Sequence, residues 1–174
     1  MNNKRIILLI TLLISFVGQS QQRTIFDIAR NGTLEEVTLL YNSTPELINT
    51  VNERNSSPLL LACYKGNAEV ALFLLERVKD INSNPGMGSP LMAAVMSGDM
   101  VIVQKLIQKN ADLNQVDTQG KTALLYATFF NKTEIAKALI SAGANKNSVG
   151  NDGKTALDYA TFNKNTELII LLDQ

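Results

Sequence analysis

The sequence has no histidine, no tryptophan and a single cysteine, Cys63, in 174 residues. Without histidine there is no Ser-His or Cys-His pair and no imidazole ligand for a metal. One cysteine forms neither an internal disulfide nor a zinc cluster. Charge of one sign is lacking too: 16 basic residues meet 16 acidic ones. No basic patch stands out, which argues against nucleic acid as a partner. No glycine-rich phosphate loop is present, and Asp152 and Asp158, in different local contexts, form no acid–base constellation. These absences argue against an enzyme and against any cofactor or metal.

Long apolar runs are scarce as well. The one that stands out, Ile6 to Val17, is broken only by Thr11 and Ser15, follows Lys4 and Arg5, and leads into Gly18-Gln19-Ser20. A charged start, an apolar stretch and small residues at a cleavage site describe an export signal. Twelve helical residues span roughly 18 Å, short of a hydrocarbon core, so a membrane anchor is the weaker alternative. The expectation is a signal peptide at 1–20, removed after Ser20, with no membrane insertion afterwards. The arrangement resembles that of Gram-negative exported proteins, which implies a periplasmic or secreted address. Without Lys4 and Arg5 the remainder carries a net charge of −2.

What the sequence does have is a phrase that returns. Ser57-Pro58-Leu59-Leu60-Leu61-Ala62-Cys63 is echoed by Ser89 to Val95, by Thr122 to Thr128 and by Thr155 to Thr161. Leu59, Leu91, Leu124 and Leu157 lie 32, 33 and 33 residues apart, and Ala62, Ala94, Ala127 and Ala160 keep the same interval. A period of that length marks stacked supersecondary units. With 45% hydrophobic residues, the chain has enough apolar surface for a continuous core.

One unit shows the local logic. Asp117-Thr118-Gln119-Gly120-Lys121 makes a turn in which Gly120 can take positive φ. Thr122 is a helix N-cap for Ala123 to about Phe130. A second helix follows from about Lys132 to Ser141, with Ile135, Ala136, Leu139 and Ile140 on one face and Gly143 as its C-cap. Ser57, Ser89 and Thr155 are the equivalent caps, and Pro58 and Pro90 fill the first helical position, where a missing N–H is harmless. Gly66 and Gly98 separate paired helices, with Asn131 and Lys164 in that place later. Glu69, Glu134 and Glu167 open second helices, and Asn82, Asn114 and Asn147 close the loops. Cys63 shares its register with Val95, Thr128 and Thr161 and reads as a small packing residue rather than a reactive thiol.

The Thr-Pro-Leu-like openings, the alanine pairs, the glycine between helices and the Gly-Ala-Asn-x-Asn ending of residues 143–147 resemble ankyrin repeats, from about Ile25 to Leu172. The resemblance implies an all-α solenoid of helix–turn–helix units with protruding hairpin turns, about five including caps. The units fall at about 23–51, 52–83, 84–116, 117–149 and 150–174, and the resemblance implies action by protein binding. There are departures. The histidine usual after Thr-Pro-Leu is replaced by Leu60, Met92, Leu125 and Asp158, so a capping hydrogen-bond network should be missing and each unit only modestly stable. The turn from Ser83 to Gly88 is one residue short. Val78 and Asn110 replace a terminal glycine; Asn tolerates the left-handed conformation and Val does not, so the Val78 loop should differ.

At the front, Ile25 to Gly32 and Leu34 to about Tyr41 read as a capping unit whose Asp27, Arg30, Glu35 and Glu36 give a polar outer face. The last unit either caps itself through Thr161, Asn163, Lys164, Asn165 and Thr166 or pairs with another copy or protein. A monomer is expected, with a homodimer through the C-terminal end as the alternative.

In the family the first helix of each unit lines a concave face. That points to Tyr64, Met96, Phe129 and Phe162, with Lys65 and Phe130 beside them, as partner-binding residues, or else as residues packed under the turns. The turn tips add Arg54, Met87, Gln119, Lys121, Asp152 and Lys154, whose charges are mixed. Groove and tips together could supply the roughly 800 Å² per partner of a standard interface. The expected function is a non-catalytic interaction scaffold binding an unidentified protein in the bacterial envelope or outside the cell. The alternatives are a secreted host-directed factor and an inhibitor or immunity-type binder.

Overall fold

Short hydroxyl and amide side chains punctuate this chain, and helices start where they can hold a free backbone N–H. The computed structural model describes residues 23–84 and 88–174. Among these, ten α-helices run in five pairs: α1 (Ile25–Asn31) and α2 (Leu34–Ser43), α3 (Pro58–Lys65) and α4 (Ala68–Leu75), α5 (Pro90–Ser97) and α6 (Met100–Gln108), α7 (Ala123–Phe129) and α8 (Thr133–Ser141), α9 (Ala156–Phe162) and α10 (Thr166–Leu172). A 3₁₀ turn, Pro45–Asn49, follows α2. The expected signal peptide at 1–20 lies outside the described residues. No described helix is long and apolar enough to cross a membrane.

Thr24, Ser57, Ser89, Thr122 and Thr155 each accept a hydrogen bond from the N–H three residues on. Each satisfies one of the donors that a first helical turn leaves open. The boundaries shift slightly from expectation. Phe130 caps α7 instead of ending it, Lys132 occupies the capping position before α8, and α2 continues past Tyr41 to Ser43. Ala142 takes the C-cap of α8, and Gly143 follows it at φ 94°.

Between the paired helices the backbone turns through the left-handed region at Gly66 and Gly98, and equally at Asn131 and Lys164, with φ of 53° and 55° at the latter two. The shared register therefore imposes the conformation even on a lysine, at a cost of roughly 1–2 kcal/mol. The first pair turns differently: its helices are separated by two residues, Gly32 and Thr33, as in the second and third pairs, but Gly32 is extended at φ −90°. Val78 stays out of the left-handed region, as its branched side chain requires, and its loop does differ. After α6 and α8, Ala111 and Ala144 donate back to Leu106 and Leu139, both at 3.0 Å. After α4 the closing bond runs from Val78 to Leu74 at 2.9 Å, one residue shorter in reach.

The inner helices α1, α3, α5, α7 and α9 pack side by side, and the outer helices α2, α4, α6, α8 and α10 form a second layer against them. The repeating leucines and alanines lie in this seam. Leu59, Leu91 and Leu124 are at most 1% exposed, and Ala62, Ala94, Ala127 and Ala160 are fully buried. Cys63 is fully buried, and burial pushes its thiol pKa well up, which fits a packing role.

The missing histidines leave a different network behind. Leu60, Met92 and Leu125 are buried apolar residues, and asparagine carries hydrogen bonds from unit to unit. Asn49, Asn82 and Asn114 accept from the backbone of Lys79, Asp112 and Asn145 in the following units, at 2.8–2.9 Å. Asn67 donates to the carbonyl of Gly32 at 2.9 Å, and Asn163 to that of Thr128 at 2.8 Å. These bonds come from other places in the repeat. Where Leu60, Met92 and Leu125 stand, no side chain caps the helix in the histidine's position; only Asp158 does so, accepting from the N–H of Thr155 at 2.8 Å.

Candidate partner-binding groove

A helix seven or eight residues long makes two turns, so few of its positions can point away from the outer layer. The alanine register faces the seam, and the residue two places on emerges on the inner face. Tyr64 is 54% exposed there, Phe162 83%, Phe129 and Phe130 a little under half, and Met96 is half-buried. The five do not behave alike along the stack.

Across the first three units the inner face opens into a groove of about 390 Å³. Its floor is Leu60, Leu61 and Tyr64 from α3 with Met92, Ala93 and Met96 from α5. Arg30 reaches it from α1, Arg54 and Asn52 from the turn before α3, and Lys65 from the end of α3. A shallower hollow continues it past Tyr64, Lys65 and Met96 to Ser97 and Phe130. Arg30 was expected on the outer face of a cap; it donates to the Phe26 carbonyl at 3.3 Å, stands 3.7 Å from Asp27 and still lines the groove. Leu60, Leu61, Met92 and Ala93 were read only as repeat positions. Their lack of polarity was visible, but that they sit under a groove, with Leu61 partly exposed and the other three buried, was not.

The inner face closes at the seam between the fourth and fifth units, although Phe162 beyond it stays open. Lys121, expected at an exposed turn tip, is 8% exposed. Its ammonium donates to the Tyr159 hydroxyl at 2.9 Å and lies 3.3 Å from Asp152. It also stands 4.7 Å over the Phe129 ring and 5.0 Å over that of Tyr159, within cation–π range. Phe129 meets Tyr159 and Phe130 edge-on, at 5.2 Å and 5.0 Å between centroids. Burial opposes the Lys121 charge, but the hydrogen bonds to Tyr159 and Asp152 outweigh it and hold its pKa above the usual lysine value. The Tyr159 hydroxyl donates to Asp152, which lowers that carboxyl's pKa, while burial raises the pKa of Tyr159 itself. One unit earlier, Asp117 accepts from the Tyr126 hydroxyl and from the N–H groups of Gln119 and Lys121, at 2.8 and 2.9 Å. Lys121 is therefore a structural anchor between units, not a free binding residue, and Phe129 is partly its lid.

The remaining tip residues, Arg54, Gln119, Asp152 and Lys154, are exposed, though Asp152 is engaged as described; Met87 lies outside the described residues. Asn151 ties adjacent turns together, its N–H donating to the Gln119 carbonyl at 2.9 Å and its side chain to Thr118 at 3.1 Å. Among the described residues no group of three or more metal-ligating side chains converges.

Helix hairpins that each pack on the next, with one continuous inner face, define a helical solenoid. A family model described as ankyrin repeats (3 copies) matches residues 25–117 and again 91–173, so the chain belongs to the ankyrin repeat family. It is 32% identical over 91 residues to a fem-1 homolog A-like protein of Mus musculus, covering 52% of this chain and 14% of that protein. It is 34% identical over 91 residues to ankyrin repeat and SAM domain-containing protein 6 of Rattus norvegicus, covering 51% and 10%. It is 36% identical over 74 residues to ankyrin repeat and KH domain-containing protein 1 of Homo sapiens, covering 42% and 3%. The chain thus spans a small part of the length of these relatives.

Proposed function

We propose that this protein is a non-catalytic scaffold that binds another protein through its concave helix face, exported to the bacterial envelope or beyond the cell. The observation that carries the binding reading is the partly exposed apolar strip of Leu61, Tyr64 and Met96, which lines the groove with the buried Leu60 and Met92 beneath it and is flanked by exposed tips. Aromatic residues and methionine are enriched at interface centres, and a contiguous apolar patch is rarely left open on a monomer without use. Export rests on the charged start and apolar run of residues 4–17. The exposed Phe162 and Ile170 of the last unit favour a second, weaker contact with another copy of the chain.

Affinity capture from the native cell with the intact chain, the pair Tyr64→Ala and Met96→Ala, and the outer-face pair Leu39→Ala and Val101→Ala tests the binding reading. A partner held by the intact and outer-face chains and lost from the inner-face pair supports it; retention by the inner-face pair contradicts it. Phe129 is avoided because its loss uncovers Lys121. Cell fractionation with and without residues 1–20 tests export: the full chain should leave the cytoplasm and the shortened one should remain there.

A further inference from the structure

The groove of the first three units is apolar at its floor and basic at its rim, in a chain whose net charge is zero. Arg30, Arg54 and Lys65 line it, and no carboxylate does. Glu53 lines the adjoining hollow on the α1 side, with Thr24, Phe26 and Val51, and Arg30, Asn52 and Arg54 line both. Arg30 is partly answered by Asp27, but among the described residues neither Arg54 nor Lys65 enters an ion pair. Elsewhere Lys105 and Lys109 grip Glu76, Lys121 holds Asp152 and Lys137 bridges Glu134 and Glu167, but Lys79, Lys132, Lys154 and Lys164 also enter no ion pair among the described residues. The groove is set apart by cations standing beside apolar side chains with no carboxylate in its lining. Cations left unpaired beside a partly exposed apolar strip form a surface whose complement is both acidic and apolar.

We infer that the groove between α1, α3 and α5 takes an extended acidic segment of a partner protein, with one aromatic or aliphatic side chain seated on Leu61, Tyr64 and Met96. This rests on the scaffold reading above and names the chemistry of its partner. The volume of about 390 Å³ holds one large side chain and its flanking backbone. Asn52, whose Oδ1 already accepts from the N–H groups of Arg54 and Ser56, offers its Nδ2 to the segment's backbone at the wall. Carboxylates on either side of the anchor meet Arg54 and Lys65 at the rim, where they steer association and select against basic segments.

A random peptide library displayed on phage, selected on the full chain, tests this. The selected pool should be enriched in Asp and Glu around a single apolar residue. Its peptides should weaken about tenfold when salt rises from about 0.05 M to about 0.5 M. They should weaken at least tenfold on the charge-reversed chain Arg54→Glu with Lys65→Glu. Both residues are exposed, and an unchanged helical circular-dichroism signal shows that this variant is folded. Neutral or basic peptides that still compete for Tyr64 and Met96 would overturn the acidic inference while leaving the scaffold reading intact. Peptides insensitive to both the charge reversal and Tyr64→Ala with Met96→Ala, or a pool no richer than the starting library, would overturn both. Self-association abolished by the charge reversal, seen by sedimentation, would put a second copy in the groove and overturn the partner assigned here.

Discussion

The two halves of the inner face use the same register to opposite ends. In units two and three this position holds Tyr64 or Met96, the neighbouring Arg54 and Lys65 enter no ion pair among the described residues, and the surface stays open. In unit four the same position holds Phe129, which lies over Lys121 and against Tyr159 of unit five, and a carboxylate from the next turn neutralises the lysine, while Phe162 in unit five stays 83% exposed beyond this seam. The repeats share one scaffold but differ in whether the face is already occupied by the chain itself. A period in the sequence therefore defines a stack, while departures from it decide where a partner can sit.

The largest expected effect tests whether the halves are one cooperative body. Leu91→Ala and Leu124→Ala empty core sites on either side of the boundary, each only 1% exposed. Each should cost about 2–5 kcal/mol in urea unfolding. Both should shift a single transition; a two-step melt with only one step moved would show that the halves fold independently.

A smaller effect separates the two lysines. Lys121→Ala leaves the Tyr159 hydroxyl and Asp152 without their shared partner and should cost about 1–3 kcal/mol. Lys65→Ala removes an exposed, unpaired charge and should stay within about 0.5 kcal/mol. Equal costs in the same urea titration would erase the distinction between open and occupied halves.

pH sharpens the contrast with a smaller change still. The folded chain holds the Lys121 proton above its usual value of 10.5 and the Tyr159 proton above 10.0. That contribution is whole below the unfolded values and is lost as pH rises through the folded ones. The buried Cys63 thiol, also raised, adds a loss above pH 9.0 from the other half. Measured in a Cys63→Ala background, alkaline destabilisation should therefore shrink on Lys121→Ala. Acid acts differently. Lys105 and Lys109 hold the Glu76 carboxyl down at about 2, against an ordinary 4.5. The small stabilisation from Glu76 is present above pH 4.5 and fades as pH falls toward 2. Glu76→Gln should flatten that part of the stability curve.

Much of this architecture was legible in the residues. Caps at Ser57, Ser89, Thr122 and Thr155 and the turn positions Asn131 and Lys164 follow from local chemistry repeated in register. The exception at Val78 was readable for the same reason. Lys121 was not, because its environment is made by residues 31 and 38 positions away, and the equivalent Lys154 remains exposed. The sign that could have exposed it was the aligned pair Tyr126 and Tyr159, two hydroxyls that need partners when covered. Arg30 was misplaced because a polar residue in a terminal unit satisfies both a cap and a groove. Openness itself is a property of neighbours, and no single unit encodes it.

The most direct test is a methyl NMR titration of the intact, methionine-labelled chain with a peptide from the display selection, since Met92 and Met96 line the groove floor. The account predicts saturable shifts of Met92 and Met96 that vanish in the Arg54→Glu, Lys65→Glu chain. Shifts confined to Met100 on the outer layer, or none at saturating peptide, would contradict it.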